Sequence, residues 1–133
     1  MKISILTLFP EMFDNFKSTS IIKRAIDKNI VDIEVVNIRD FSTLNNKQVD
    51  DTPYGGGSGM VMRVDIVVSA IRSVKDADSI VILLSPAGTT FKQSVAYDLS
   101  TKKHLIFVCG HYEGIDERIL NYVDMELSIG DFI

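Results

Sequence analysis

The chain has no tryptophan, one cysteine, three prolines and two histidines among its 133 residues. A single cysteine, Cys109, excludes an intramolecular disulfide, and its place in the apolar run Leu105-Ile106-Phe107-Val108-Cys109 predicts a buried, inert thiol suited to a reducing compartment. His104 and His111 are too isolated to be read as ligands, since a zinc site needs three or four partners with a suitable spacing, so no metal-ligating residues are assigned. No apolar run is long enough to cross a bilayer, which predicts no membrane partner. The start, Met1 to Glu11, imitates a signal peptide, but Ser4 and Thr7 interrupt it and Pro10-Glu11 ends it without a small-residue cleavage site; it reads better as a strand. Internal repeats and low-complexity tracts are also missing.

A surplus of positive charge is lacking too. The net charge is −4, which argues against a protein that grips nucleic acid through a broadly basic surface. Lys17, Lys23, Arg24, Lys28, Arg39, Lys47 and Arg63 nevertheless crowd into the first half, as either a local positive face or an ordinary solvated helix surface.

What the sequence does have is alternation. Short Ile-, Val- and Leu-rich runs at residues 2–9, 32–38, 79–84 and 105–109 predict strands covered on both faces. Between them, helical spacing predicts helices over 11–28 in two pieces, 64–74, 91–100 and 116–122. The implied fold class is α/β, a mostly parallel sheet with helices on both faces, and the length suits one domain.

The densest set of glycines and charges, Gly110-His111-Tyr112-Glu113-Gly114-Ile115-Asp116-Glu117-Arg118, follows the last predicted strand, where open α/β sheets keep their ligands. Glu113 is the better functional candidate there, whereas Asp116, Glu117 and Arg118 read as the opening of a helix. The turn Ser85-Pro86-Ala87-Gly88 leaves the third strand in the same direction, with Thr89 or Thr90 expected to cap the next helix. If the two strands are neighbours, their loops share one crevice. Glu126 to Ile133 runs from an apolar pattern into Gly130-Asp131 and could supply a third loop.

The stretch from Asp40 to Met60 lacks periodicity and carries four glycines at 55, 56, 57 and 59. A P-loop is excluded because no Lys-Ser or Lys-Thr follows, and a dinucleotide fingerprint because Met60 and Met62 stand where glycine is required. The stretch is therefore either a hinge or a segment whose backbone and Tyr54 ring approach a planar or polymeric ligand.

Six blocks in order carry a family resemblance: Leu6-Thr7-Leu8-Phe9-Pro10-Glu11-Met12-Phe13, Asn37-Ile38-Arg39-Asp40-Phe41, Val49 to Met60, Ser85-Pro86-Ala87-Gly88, Gly110 to Arg118, and Ser128-Ile129-Gly130-Asp131-Phe132. Across its whole length the chain resembles the amino-terminal domain of the bacterial tRNA (guanine-37-N1) methyltransferases, in the trefoil-knotted SPOUT superfamily. The resemblance implies an S-adenosylmethionine pocket made by three loops, with Leu83, Leu84, Ser85, Pro86, Gly88, Gly110, Tyr112, Glu113, Gly114, Ser128, Ile129, Gly130, Asp131, Phe132 and Ile133 as cofactor-binding residues. It implies substrate-binding roles for Asp50, Tyr54, Gly55, Gly56, Gly57 and Gly59, with tRNA (the anticodon loop, guanine 37) as substrate, and it is compatible with a Mg2+ requirement. It also implies a cytoplasmic homodimer.

Chemistry adds a demand. Guanine N1 must lose its proton for methylation, which calls for a placed base and a cation to offset charge on the ring. The resemblance puts the family's aspartate base and arginine after Ile133, so no catalytic residue is assigned within the chain. The expectation is accordingly a methyltransferase domain truncated after Ile133, its knot incomplete and its tRNA-binding carboxy-terminal domain absent, and inactive in isolation. The alternatives are a silent cofactor-binding and dimerisation fragment, or an ordinary Rossmann-like methyltransferase, which the glycine cluster's place after a polar loop opposes. Ala87, His111 and Phe132 depart from the family's common glutamine, arginine and tyrosine.

Overall fold

A computed structural model describes residues 1–42, 49–51, 61–111 and 114–130. Five strands, β1 (Lys2–Thr7), β2 (Asp32–Asn37), β5 (Ser79–Thr90), β6 (His104–Cys109) and β7 (Met125–Ser128), form one sheet in the order β2-β1-β6-β5-β7. Every pairing in it is parallel. Two short strands, β3 (Asp50–Asp51) and β4 (Val61–Met62), make a separate antiparallel pair.

Alternation along the strands explains the layers. Val81, Leu83, Ile106, Val108 and Leu6 point into one core with α3 (Val64–Val74) and the 3-10 turns Ile38–Phe41 and Glu117–Tyr122, while Ile80, Ile82, Leu84, Leu105 and Phe107 point into another with α4 (Gln93–Leu99). Helices thus cover both faces, as the near-continuous apolar runs predict. Helix α3 is the main cover: Ile66, Val67, Ala70 and Ile71 are buried on it, and each fully buried aliphatic side chain contributes about 1.5–3 kcal/mol.

The expected helix over 11–28 does come in pieces: a 3-10 turn at Pro10–Phe13, α1 (Asp14–Lys17) and α2 (Ser20–Asp27). The break has a local cause. Ser18 and Thr19 donate their hydroxyls to the carbonyls of Asp14 and Asn15, so side chains compete for the acceptors that a continuing helix would use.

Two expectations need correction. Strand β5 does not stop at Leu84 but bulges through residues 85–88 and rejoins β7, Thr89 opposite Leu127 and Thr90 opposite Ser128. Sheet pairing therefore claims Thr89 and Thr90, and neither caps the next helix, whose N-cap is Lys92. The segment at 116–122 is a 3-10 turn, with Asp116 accepting from the Arg118 N–H at 3.0 Å.

At the opposite edge, the amino-terminal ends of the strands are tied by polar groups. The Ser4 hydroxyl lies 2.8 Å from His104 Nε2, and Asp76 Oδ2 lies 3.0 Å from His104 Nδ1. The trio imitates a Ser-His-Asp triad, yet Ser4 is 0% exposed, so no substrate reaches its hydroxyl. It is a structural tie. The Ser79 hydroxyl, with smaller help from His104 and the Asp78 N–H, holds the Asp76 carboxyl below the ordinary carboxylate range against an opposing effect of burial. A carboxyl with a lowered folded-state pKa stabilises the fold above the unfolded-state value and loses that contribution as pH falls through the folded one. The urea midpoint of the wild type is therefore expected to fall more steeply than that of Asp76→Asn below about pH 4, and parallel pH profiles would remove Asp76 from the account.

Candidate functional site

Because β5 and β6 are adjacent and parallel, with Leu84 opposite Cys109, β5 exits its pairing with β6 into the bulge at the same edge of the sheet where the chain leaves β6. Between the two exits lies a cleft of about 740 Å³. Leu83, Leu84, Ser85, Pro86 and Ala87 form one wall, and Gly110, His111, Gly114 and Ile115 the other. Ile119 and Leu120 add apolar surface, and the carboxylates of Glu117 and Glu126 complete the lining. The volume lies in the range of sites for small ligands, and an apolar lining with a few polar groups suits a flat heterocycle carrying a polar tail.

The sequence-predicted residues divide into three groups. Leu83, Leu84, Ser85, Pro86, Gly110 and Gly114 line the cleft. Gly88 and Ser128 instead lie along the β5–β7 seam: Ser128 is buried, exchanges hydrogen bonds with Gly130 through its hydroxyl, and accepts from the Phe91 N–H at 2.7 Å. Ile129 is 71% exposed beyond that seam, and Asp50 belongs to β3. Tyr112, Glu113, Asp131, Phe132, Ile133, Tyr54, Gly55, Gly56, Gly57 and Gly59 lie outside the described residues.

Sequence reasoning missed the contributions of Ile115, Glu117, Ile119, Leu120 and Glu126. Glu126 required β7 to be recognised as a strand, and Ile119 and Leu120 carried an apolar signal that was read only as helix packing. His111, set aside as a metal ligand and noted as a departure from the family, meets Phe9 edge-on, with ring centroids 4.9 Å apart, joining the segment after β1 to the cleft wall. Cys109 is half-buried, and burial pushes its thiol up to about 11, which keeps it protonated and unreactive near neutrality.

Two glycines are required for different reasons. Gly114 has φ +112°, a conformation that L side chains rarely adopt. At Gly88 the demand is space: a Cβ there would sit 2.6 Å from the backbone carbonyl carbon of Glu126 and 2.6 Å from the Leu127 nitrogen. The bulge of β5 can lie against β7 only because that atom is missing.

A second hollow, of about 640 Å³, opens on the far side of the 114–118 segment between α3 and the 3-10 turn. Its charges are largely paired among themselves: Arg63 with Asp65 at 3.1 Å and Arg118 with Asp116 at 2.9 Å. Among the described residues no group of three His, Cys, Asp or Glu side chains could hold a metal ion, and no helix is long and apolar enough to cross a membrane.

Sheet and cleft together define a parallel α/β protein of the kind that gathers its ligand at the carboxyl ends of adjacent strands. The family model described as tRNA (Guanine-1)-methyltransferase TrmD matches residues 1–133, and the chain belongs to that family. It is 57% identical over 133 residues to the tRNA (guanine-N(1)-)-methyltransferase of Malacoplasma penetrans strain HF-2, covering all of this chain and 59% of the relative. Similar proteins of the same name occur in Clostridium perfringens strain SM101 (58% identical, 56% of the relative covered) and Dictyoglomus turgidum (52% identical, 54% covered). The chain thus spans rather more than half the length of these curated relatives.

Gly88→Ala is expected to destabilise the protein by about 1–3 kcal/mol, since the added methyl meets backbone on two sides. It should also reduce the affinity of the cleft, because β7 carries Glu126. Denaturant unfolding tests the first effect, and an unchanged midpoint would contradict the close approach.

Proposed function

We propose that this protein is a methyltransferase that binds S-adenosylmethionine in the cleft between the β5 and β6 exits and methylates guanine N1 in tRNA. The observation that carries the reading is the convergence of those two exits on one cleft in a chain of this family. The fit to the cofactor is chemical. Leu83, Leu84, Ile115, Ile119 and Leu120 offer apolar surface for a purine, and Glu117 and Glu126 offer negative charge to a ligand with a sulfonium and an ammonium group. Main-chain groups at Ser85 to Ala87 and at Gly110 suit ribose and base edges, which need hydrogen bonds without fixed charge.

Bound there, the cofactor supplies an electrophilic methyl group on positively charged sulfur. The chain's own residues do the rest of what this half of the site requires: they exclude water with apolar walls and orient the ligand through the two exits, while the family resemblance gives contact with the acceptor to Asp50, Tyr54, Gly55, Gly56, Gly57 and Gly59. The assignment of tRNA as partner and of guanine N1 as target is supported by the names of the relatives, and position 37 by the resemblance of the six sequence blocks alone. A homodimer is supported by the apolar side chains that the first helical pieces leave outside, Met12 at 74%, Phe16 at 46% and Ile21 at 72% exposed. A tRNA substrate makes the cytoplasm the natural compartment. Any Mg2+ would be held with help from the ligands, since among the described residues the cleft offers Glu117 and Glu126 and no group of three possible metal ligands.

Titration calorimetry with S-adenosylhomocysteine tests the binding. Ala87 lines the cleft and is exposed, so Ala87→Trp should fill the ligand's space while leaving the fold intact, weakening binding at least about tenfold. Equal affinities for the variant and the wild type would place the ligand elsewhere.

A further inference from the structure

Met62 is 0% exposed and is held on both edges. On one side β4 pairs antiparallel with β3, Met62 opposite Asp50, and the Arg63 N–H donates to the Val49 carbonyl at 2.8 Å. On the other side Met62 forms a parallel bridge with Ile115: its N–H donates to the Gly114 carbonyl at 2.9 Å, and its carbonyl accepts from the Asp116 N–H at 3.4 Å. A three-segment ribbon thus crosses from β3 through β4 to residues 114–116. Gly114 and Ile115 belong to the cleft wall, whereas Asp51, Val61, Met62, Arg63 and Asp116 line the second hollow. One short stretch of backbone is shared by both.

We infer that Met62 is a positioning residue whose main-chain clip to Gly114 and Asp116 couples occupancy of the cleft to the order of the β3–β4 pair, so that cofactor and RNA substrate bind cooperatively. The inference rests on the function proposed above. The clip has few alternatives: Met62 is fully buried, so no solvent replaces a broken bond, and Gly114 holds a φ of +112° that L side chains rarely adopt. A ligand that fixes the cleft wall at Gly114 and Ile115 fixes the two groups to which Met62 bonds. Fixing them holds β4, and β4 holds Asp50 through its pairing with β3. By linkage, a ligand that orders the β3–β4 pair tightens the cleft by the same factor.

Hydrogen–deuterium exchange on the wild-type protein, with and without saturating S-adenosylhomocysteine, reads the coupling residue by residue. The Met62 and Arg63 amides should exchange at least about fivefold more slowly with the compound, alongside amides at residues 83–88 and 110–114. A strand pair with a merely structural role would show no such response. Slowing at 83–88 and 110–114 with Met62 and Arg63 unchanged overturns the clip and leaves the proposed function standing. If the compound slows none of these amides, the proposed function fails, and the ligand-free protein decides the clip on its own. In that state Met62 and Asp116 should exchange at one shared rate, and Gly114→Ala, strained at this φ, should speed both; different rates in the wild type, or no change in the variant, overturn it.

Discussion

Strand β5 is hydrogen-bonded along both edges, to β6 over Ser79–Leu84 and to β7 on the other side, and the rest of the site depends on that double pairing. Pairing with β6 sets the two chain exits side by side. Pairing with β7 is harder, because β5 must leave the register after Leu84, bulge, and return at Thr89. A bulge inserts residues that a flat ladder cannot hold, so the backbone of β7 comes close where the strand folds back. Only a residue without a Cβ fits there, and that residue is Gly88. Gly88 thus supports the cleft without being among the residues that line it.

The same economy governs the 110–118 segment. Gly110, His111, Gly114 and Ile115 line the cleft, whereas Asp116 and Arg118 border the second hollow. Asp116 accepts from the Arg118 backbone N–H and forms a two-pronged pair with the Arg118 guanidinium, so the start of the 3-10 turn is fixed by a charge-assisted local contact. The structural role that the sequence suggests for Asp116 is thereby the one it has, whereas Glu117 beside it lines the cleft.

Much of this architecture is legible in the chain. Residues 64–74 show helical spacing and form α3 over that range, since a core-facing helix carries its period in plain view. The strands at 2–9, 32–38 and 105–109 were readable for the same reason, as buried parallel strands are apolar almost throughout. What escaped was set by partners. Met125–Ser128 is four residues long and holds Glu126, so it becomes a strand only because β5 is there to pair with it. Thr89 and Thr90 looked like helix caps because their hydroxyls suit that role, but sheet pairing outweighed local preference. Of the three loops expected at the cofactor, two meet in the cleft; of the third, Ser128 lies on the β5–β7 seam and Ile129 is exposed, and Asp131, Phe132 and Ile133 lie outside the described residues.

Photochemical cross-linking of methyl-tritiated S-adenosylmethionine, followed by peptide mapping of the label, tests the central claim most directly. The account predicts label in peptides holding residues 83–88 and 110–117, lost on competition with unlabelled S-adenosylhomocysteine. Competable label confined to α3 and to Asn121 and Tyr122, which line the second hollow and not the cleft, would contradict it.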